Sequence, residues 1–126
     1  SLLGGWLGGD HSEVDAEALN GKWHLDPKIL CDDEVIEMAF KTVRDMFVLT
    51  NKRILLVDVQ GVTGSKTEYK CVPYRSIVHF SLVTAGAWDT DAELMLCTAA
   101  GELKQEIRKG QDVMKLQRIL TQHCCP

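Results

Sequence analysis

Three runs decide the fold: Ile36-Glu37-Met38-Ala39-Phe40-Lys41, Met46-Phe47-Val48-Leu49-Thr50 and Ile54-Leu55-Leu56-Val57-Asp58-Val59. In the first, Ile36, Met38 and Phe40 alternate with Glu37, Ala39 and Lys41, the period of a strand with one wet face. The third is apolar on both faces, which a strand tolerates only when it is central or covered. Asn51-Lys52 sits between the second and third. It predicts a tight hairpin, because Asn tolerates the positive φ that such turns require. Strands in succession on links this short make an antiparallel meander.

Downstream the pattern continues. Gly61 and Gly64 punctuate a connection, Thr67–Val72 alternates again, and Pro73 ends it. Ile77–Val83 predicts a fifth strand with Val78, Phe80 and Leu82 on one side, Leu94–Cys97 a sixth, and Leu103–Arg108 a seventh beyond the Gly101 turn. After Gly110 the period becomes helical, with Val113, Leu116, Ile119 and Leu120 on one face. Upstream, Ser12 is the expected N-cap of a short helix with Glu13 and Asp15 in its first turn, bracketed by Gly21 and Pro27. The expected fold is mainly β (α+β): seven antiparallel strands as a partly open barrel or two-sheet sandwich, capped by a C-terminal helix, with a short N-terminal helix. Residues 1–31 are expected to form a tail and helix, and 32–126 the β domain, in one compact whole.

Composition sets the function classes. The chain has 126 residues, 45% hydrophobic and 25% charged, which is globular rather than disordered. Its net charge of -4 excludes nucleic acid as the main partner, since phosphate binding needs a strong basic excess. The charge is unevenly placed. Residues 1–34 carry eight acidic side chains against two basic, and residues 35–126 carry ten against twelve. That acidic leading segment reads as a solvated face, with docking on the body or on a neighbouring copy as the alternative. No run approaches the roughly 18 apolar residues of a membrane span, and the opening Ser1–Gly9 lacks the basic start of a signal peptide. A cytoplasmic protein is expected. Five cysteines include no C-x-x-C pair. Cys71 and Cys97, inside strand-like runs, are expected as small buried hydrophobes. His123-Cys124-Cys125 cannot converge as three adjacent side chains on one metal, and reduced thiols fit best.

The pattern then narrows to a family. Arg44-Asp45-Met46-Phe47-Val48-Leu49-Thr50-Asn51-Lys52-Arg53 followed by Val57-Asp58-Val59-Gln60-Gly61 resembles the TNKR…VDxQG signature of the bacterial pleckstrin-homology family. Pro73-Tyr74-Arg75-Ser76-Ile77 and Asp89-Thr90-Asp91-Ala92-Glu93-Leu94 are similar too. The resemblance implies a small domain without established enzymatic activity, without cofactor, that assembles into homo-oligomeric rings. Its partner would be itself or another protein.

Candidate sites are few. Lys41 and Arg44 flank the first hairpin. In eukaryotic pleckstrin-homology domains that loop clamps inositol phosphates, so an anionic-lipid or phosphate contact here is the alternative function. Asp45 offsets Arg44 and the chain is acidic, so the pair reads as surface charge. Asp89, Asp91 and Glu93 alternate like calcium ligands, but Leu94 and Ala100 stand where an EF-hand loop needs Gly and Glu. Asp32-Asp33-Glu34 reads as a solvated run before the first strand. His11, His24, His79 and His123 show no metal spacing and no relation to a nucleophile, so no catalytic set is expected. Leu2, Leu3, Trp6 and Leu7 form an apolar, glycine-spaced tail that should be buried somewhere. With Trp23 and Trp88 it supplies the candidate oligomer-interface residues, since aromatics are enriched in interface cores.

Overall fold

The computed structural model describes residues 12–41, 45–84, 91–108 and 111–126. It divides into two compact units, Ser1–Val72 and Pro73–Pro126.

The first unit holds β1 (Ser12–Glu13), α1 (Ala16–Trp23), β2 (Ile36–Lys41), β3 (Asp45–Thr50), β4 (Arg53–Gln60) and β5 (Lys66–Pro73), in the sheet order β1-β2-β3-β4-β5. Pairing is antiparallel, with Phe40 opposite Phe47 and Phe47 opposite Leu56. Ser12 is not a helix cap. It belongs to β1, paired with Lys41, and the Val14 N–H donates to the Ala39 carbonyl at 2.8 Å. The open edge of β2 claims this segment, so the cap falls to Asp15. Its Oδ1 accepts from the Glu17 and Ala18 amides at 3.0 and 3.3 Å.

Residues directly opposite in a sheet share a face. Ala39, Val48 and Leu55 form one such row, and they pack in a core cluster with Leu19 and Trp23 of α1 and with Leu30. Leu19 and Trp23 are fully buried, each worth roughly 1.5–3 kcal/mol or more of apolar transfer. Met38, Phe40, Phe47, Leu49 and Ile54, on the opposite face, are buried as well. The Phe40 and Phe47 rings lie 6.4 Å apart, tilted by 46°. Burial of both faces explains the unbroken apolar run of β4. The β3–β4 turn does not use positive φ at Asn51, because among the described residues only glycines adopt it. Gly61 does so after β4, at φ +85.

The second unit holds a 3-10 helix (Tyr74–Ser76), β6 (Ile77–Thr84), β7 (Ala92–Thr98), β8 (Gly101–Ile107) and α2 (Val113–Cys124), with sheet order β6-β7-β8. β7 alternates as amphipathic strands do: Ala92, Leu94 and Leu96 are buried and Glu93 is exposed. Asp112 caps α2 by accepting from the Lys115 amide at 3.0 Å, and the expected stripe buries Leu116, Ile119 and Leu120. The seven principal strands among the described residues thus divide four and three between two antiparallel sheets.

Candidate functional site

The signature residues around Thr50–Arg53 build a clamp on the preceding acidic run. Glu34 is fully buried. Arg53 grips it with Nε to Oε2 at 2.8 Å and Nη2 to Oε1 at 3.0 Å. The Thr50 hydroxyl donates to Oε2 at 2.7 Å and the Cys31 amide to Oε1 at 3.1 Å. Burial alone would raise the Glu34 pKa; the hydrogen bonds from Arg53, Thr50 and Cys31, with the Arg53 charge, more than offset it and hold the carboxyl below its ordinary value. Arg53 is correspondingly raised by its bond to Glu34, against the effect of burial. Asn51 ties the same two segments: its Oδ1 accepts from the Val35 amide at 2.8 Å and its Nδ2 donates to the Asp33 carbonyl at 3.1 Å. Lys52 reaches Asp33 at 3.0 Å. The reading of Asp32-Asp33-Glu34 as solvated is therefore corrected at Glu34. A carboxylate survives burial there because four donated hydrogen bonds meet it.

The Pro73–Ile77 run also has a structural job. The Ser76 hydroxyl donates to the Pro73 carbonyl at 2.7 Å, closing the 3-10 turn. Tyr74, buried, stacks on His123 at 4.4 Å between ring centroids and 16° between planes, fastening the end of α2.

Of the residues singled out from sequence, Arg44, Trp6, Leu7 and Trp88 lie outside the described residues. Trp23 is wholly buried in the chain's own core, with its indole N–H meeting no acceptor among the described residues. Lys41 is not surface charge. It is 5% exposed, and its register opposite Met46 places it on the face covered by α1. Among the described residues its Nζ has no hydrogen-bond partner, and burial holds the ammonium pKa below the usual lysine value. Cys71 is exposed rather than buried, because β5 presents most of its residues to solvent. Among the described residues no cluster of three His, Cys, Asp or Glu could hold a metal, and no helix is long and apolar enough to cross a membrane. Asp91 instead meets Arg108 at 3.6 Å.

What sequence reasoning missed is the edge of β6. Among the described residues no strand pairs with its outer side. Edge strands are usually guarded by charge or proline. β5 carries Lys66, Glu68, Lys70 and Pro73, and β8 carries Glu102, Lys104 and Glu106. β6, Ile77-Val78-His79-Phe80-Ser81-Leu82-Val83-Thr84, has no Asp, Glu, Lys, Arg, Pro or Gly. Phe80 and Leu82, facing the core row of β7, are only half-buried, and the exposed residues mix Val78 and Val83, 71% and 58% exposed, with the uncharged polar Ser81 and Thr84 and with His79. The absence of charge over eight consecutive strand residues was the available signal. Beside this edge Ile77, Val78, His79 and Phe80 join Cys124 and Cys125 around a cleft of about 250 Å³.

A four-stranded and a three-stranded antiparallel sheet with a closing amphipathic helix define a pleckstrin-homology-like domain. The comparisons agree. The bacterial PH domain family matches residues 7–124, and the chain belongs to that family. It is 43% identical over 99 residues to the uncharacterized protein YjqA of Bacillus subtilis (strain 168), covering 76% of this chain and 79% of that protein. A solved DUF1696 family protein with a pleckstrin-homology domain from Shewanella loihica superposes with TM-score 0.80 at 41% identity, over 93% of this chain and 99% of that one. A pleckstrin homology domain from Shewanella amazonensis SB2B gives 0.70 at 40% identity, over the whole of both chains.

Proposed function

We propose that this chain is a non-enzymatic, cytoplasmic assembly module that forms homo-oligomeric rings, pairing the β6 edge of one copy with a strand edge of the next. The observation that carries this reading is the β6 edge without Asp, Glu, Lys, Arg or Pro, with Val78 and Val83 exposed and Phe80 and Leu82 only half-buried. Such an edge is a template for strand addition and needs a cover. A head-to-tail contact whose rotation closes makes a ring. Five free thiols suit a reducing compartment. Light scattering tests the proposal. A discrete multiple of 14.1 kDa that falls to one chain mass in Val83→Lys supports it; a monodisperse monomer of the unaltered chain at high concentration overturns it.

One observation favours a second reading, anionic-lipid or phosphate binding at Lys41 and Arg44: among the described residues the Lys41 ammonium has no hydrogen-bond partner. Its burial weighs against a headgroup reaching it. Sedimentation with anionic vesicles at low salt, lost in Lys41→Glu/Arg44→Glu, supports this reading, and absence of sedimentation removes it.

A further inference from the structure

Two adjacent thiols, Cys124 and Cys125, line the cleft beside β6 together with His79 and the apolar Ile77, Val78 and Phe80. Successive side chains within a helix diverge by about 100°. Cys125 leaves that geometry as the C-cap of α2, with φ -123 and ψ 68, and both residues line the one cleft. Burial raises the Cys124 pKa and the neighbouring Cys125 adds to it, so Cys124 is a protonated thiol at neutral pH. Thiolate-driven chemistry such as peroxide attack or disulfide exchange is thereby disfavoured at Cys124. A metal held by three such donors is not what the described residues provide.

What suits two neighbouring neutral thiols against an apolar wall is a soft centre that condenses with both. We propose that this cleft is a dithiol site for small organic trivalent arsenicals, with Cys124 and Cys125 as the sulfur ligands and Val78 and Phe80 as the wall for the organic group. The step balances without an oxidant. An arsenoxide R–As=O meets two S–H groups; two As–S bonds form, the As=O and both S–H bonds break, and the oxygen leaves with the two thiol protons as water. Arsenic stays trivalent.

Intact-mass measurement of the full chain treated with phenylarsine oxide, in excess monothiol, tests this. One adduct per chain is expected, absent from Cys124→Ser and from Cys125→Ser, and retained in Cys31→Ser, Cys71→Ser and Cys97→Ser. Val78 is largely exposed, so Val78→Asp should fold and should surrender the aryl adduct to a competing small dithiol about ten-fold more readily, or ~1.4 kcal/mol. The proposal is overturned if no adduct forms, if it survives both single variants, or if the chain unfolded in urea retains it equally well.

Discussion

The Arg53 guanidinium and the Glu34 carboxylate, 19 residues apart in sequence, meet in two parallel hydrogen bonds of 2.8 and 3.0 Å, with the carboxylate sealed from solvent. Arg53 also donates to the Ile29 carbonyl at 3.1 Å, so a single side chain joins the segment after α1 to the start of β4. A lysine could not do this, because it lacks the planar fork that engages both oxygens.

Removing one member of this pair leaves the other buried and uncompensated. Arg53→Met should therefore cost about 3–5 kcal/mol of unfolding free energy. The double variant Glu34→Met/Arg53→Met should recover a substantial part of the loss. Urea titrations of the three proteins measure this, and simple addition of the two single effects would contradict it.

The same pair sets an acid limb. The Glu34 pKa is lowered in the folded chain from an ordinary value of 4.5. Between the folded and ordinary values the unfolded chain binds more protons, so acidification favours unfolding. The Glu34 contribution should be fully present above about pH 4.5 and be lost as pH falls below it toward the folded value. Glu34→Gln should flatten that part of a stability-against-pH curve while lowering the curve at neutral pH.

Lys41 has the opposite sign. Its folded pKa lies below the ordinary 10.5. The cost of burying its charge is thus fully present below the folded value and is relieved as pH rises from there to 10.5. Lys41→Met should stabilise the chain by about 1–3 kcal/mol at neutral pH, the penalty of an unsatisfied buried group. It should also remove the gain in stability at alkaline pH. A lower melting temperature in Lys41→Met would instead mean that the ammonium has a counter-charge in solution.

These two residues show where the sequence is legible. Strand and helix periods are local, so Ile36–Val59 and the Leu116, Ile119, Leu120 stripe report their own structure. Whether an ionisable residue is buried depends on partners far along the chain. Nothing adjacent to Glu34 announces Arg53, and nothing adjacent to Lys41 announces that its end of the strand is buried. Ser12 and Asp15 are both sound caps by composition, and only the hydrogen bond from Val14 to Ala39 decides between them. The family signature was readable as a pattern, but the clamp that its Thr50, Asn51 and Arg53 build on Glu34 and Val35 needed the three-dimensional contacts. β6 was readable as a strand. That it would be an edge was not, because edge status is a property of the sheet.

Two glycines should respond oppositely to alanine. Gly61 has φ +85, and a Cβ there would meet Ser65 Oγ at 3.3 Å. Gly61→Ala should cost about 1–2 kcal/mol, the penalty of left-handed backbone for an L residue. Gly21 lies inside α1 with no atom within 4 Å of an added Cβ. Gly21→Ala should stabilise by about 0.5–1 kcal/mol through helix propensity. Thermal melts of both variants measure the signs, and a shared sign would contradict the backbone argument.

Salt distinguishes what holds copies together. An interface built on β6 contains no charged residue from that strand, so it should be indifferent to screening. An interface built on the acidic leading segment, with its eight acids against two bases, should weaken as the Debye length falls from ~10 Å at about 0.1 M salt to ~3 Å at about 1 M. The assembly proposed here should keep its mass across that range and lose it in Val83→Lys, where a charge enters the uncharged edge at a position already 58% exposed and therefore harmless to the monomer. Light scattering at both salt concentrations reads the difference. A mass that drops with salt and ignores Val83→Lys would move the interface from the β6 edge to the acidic segment.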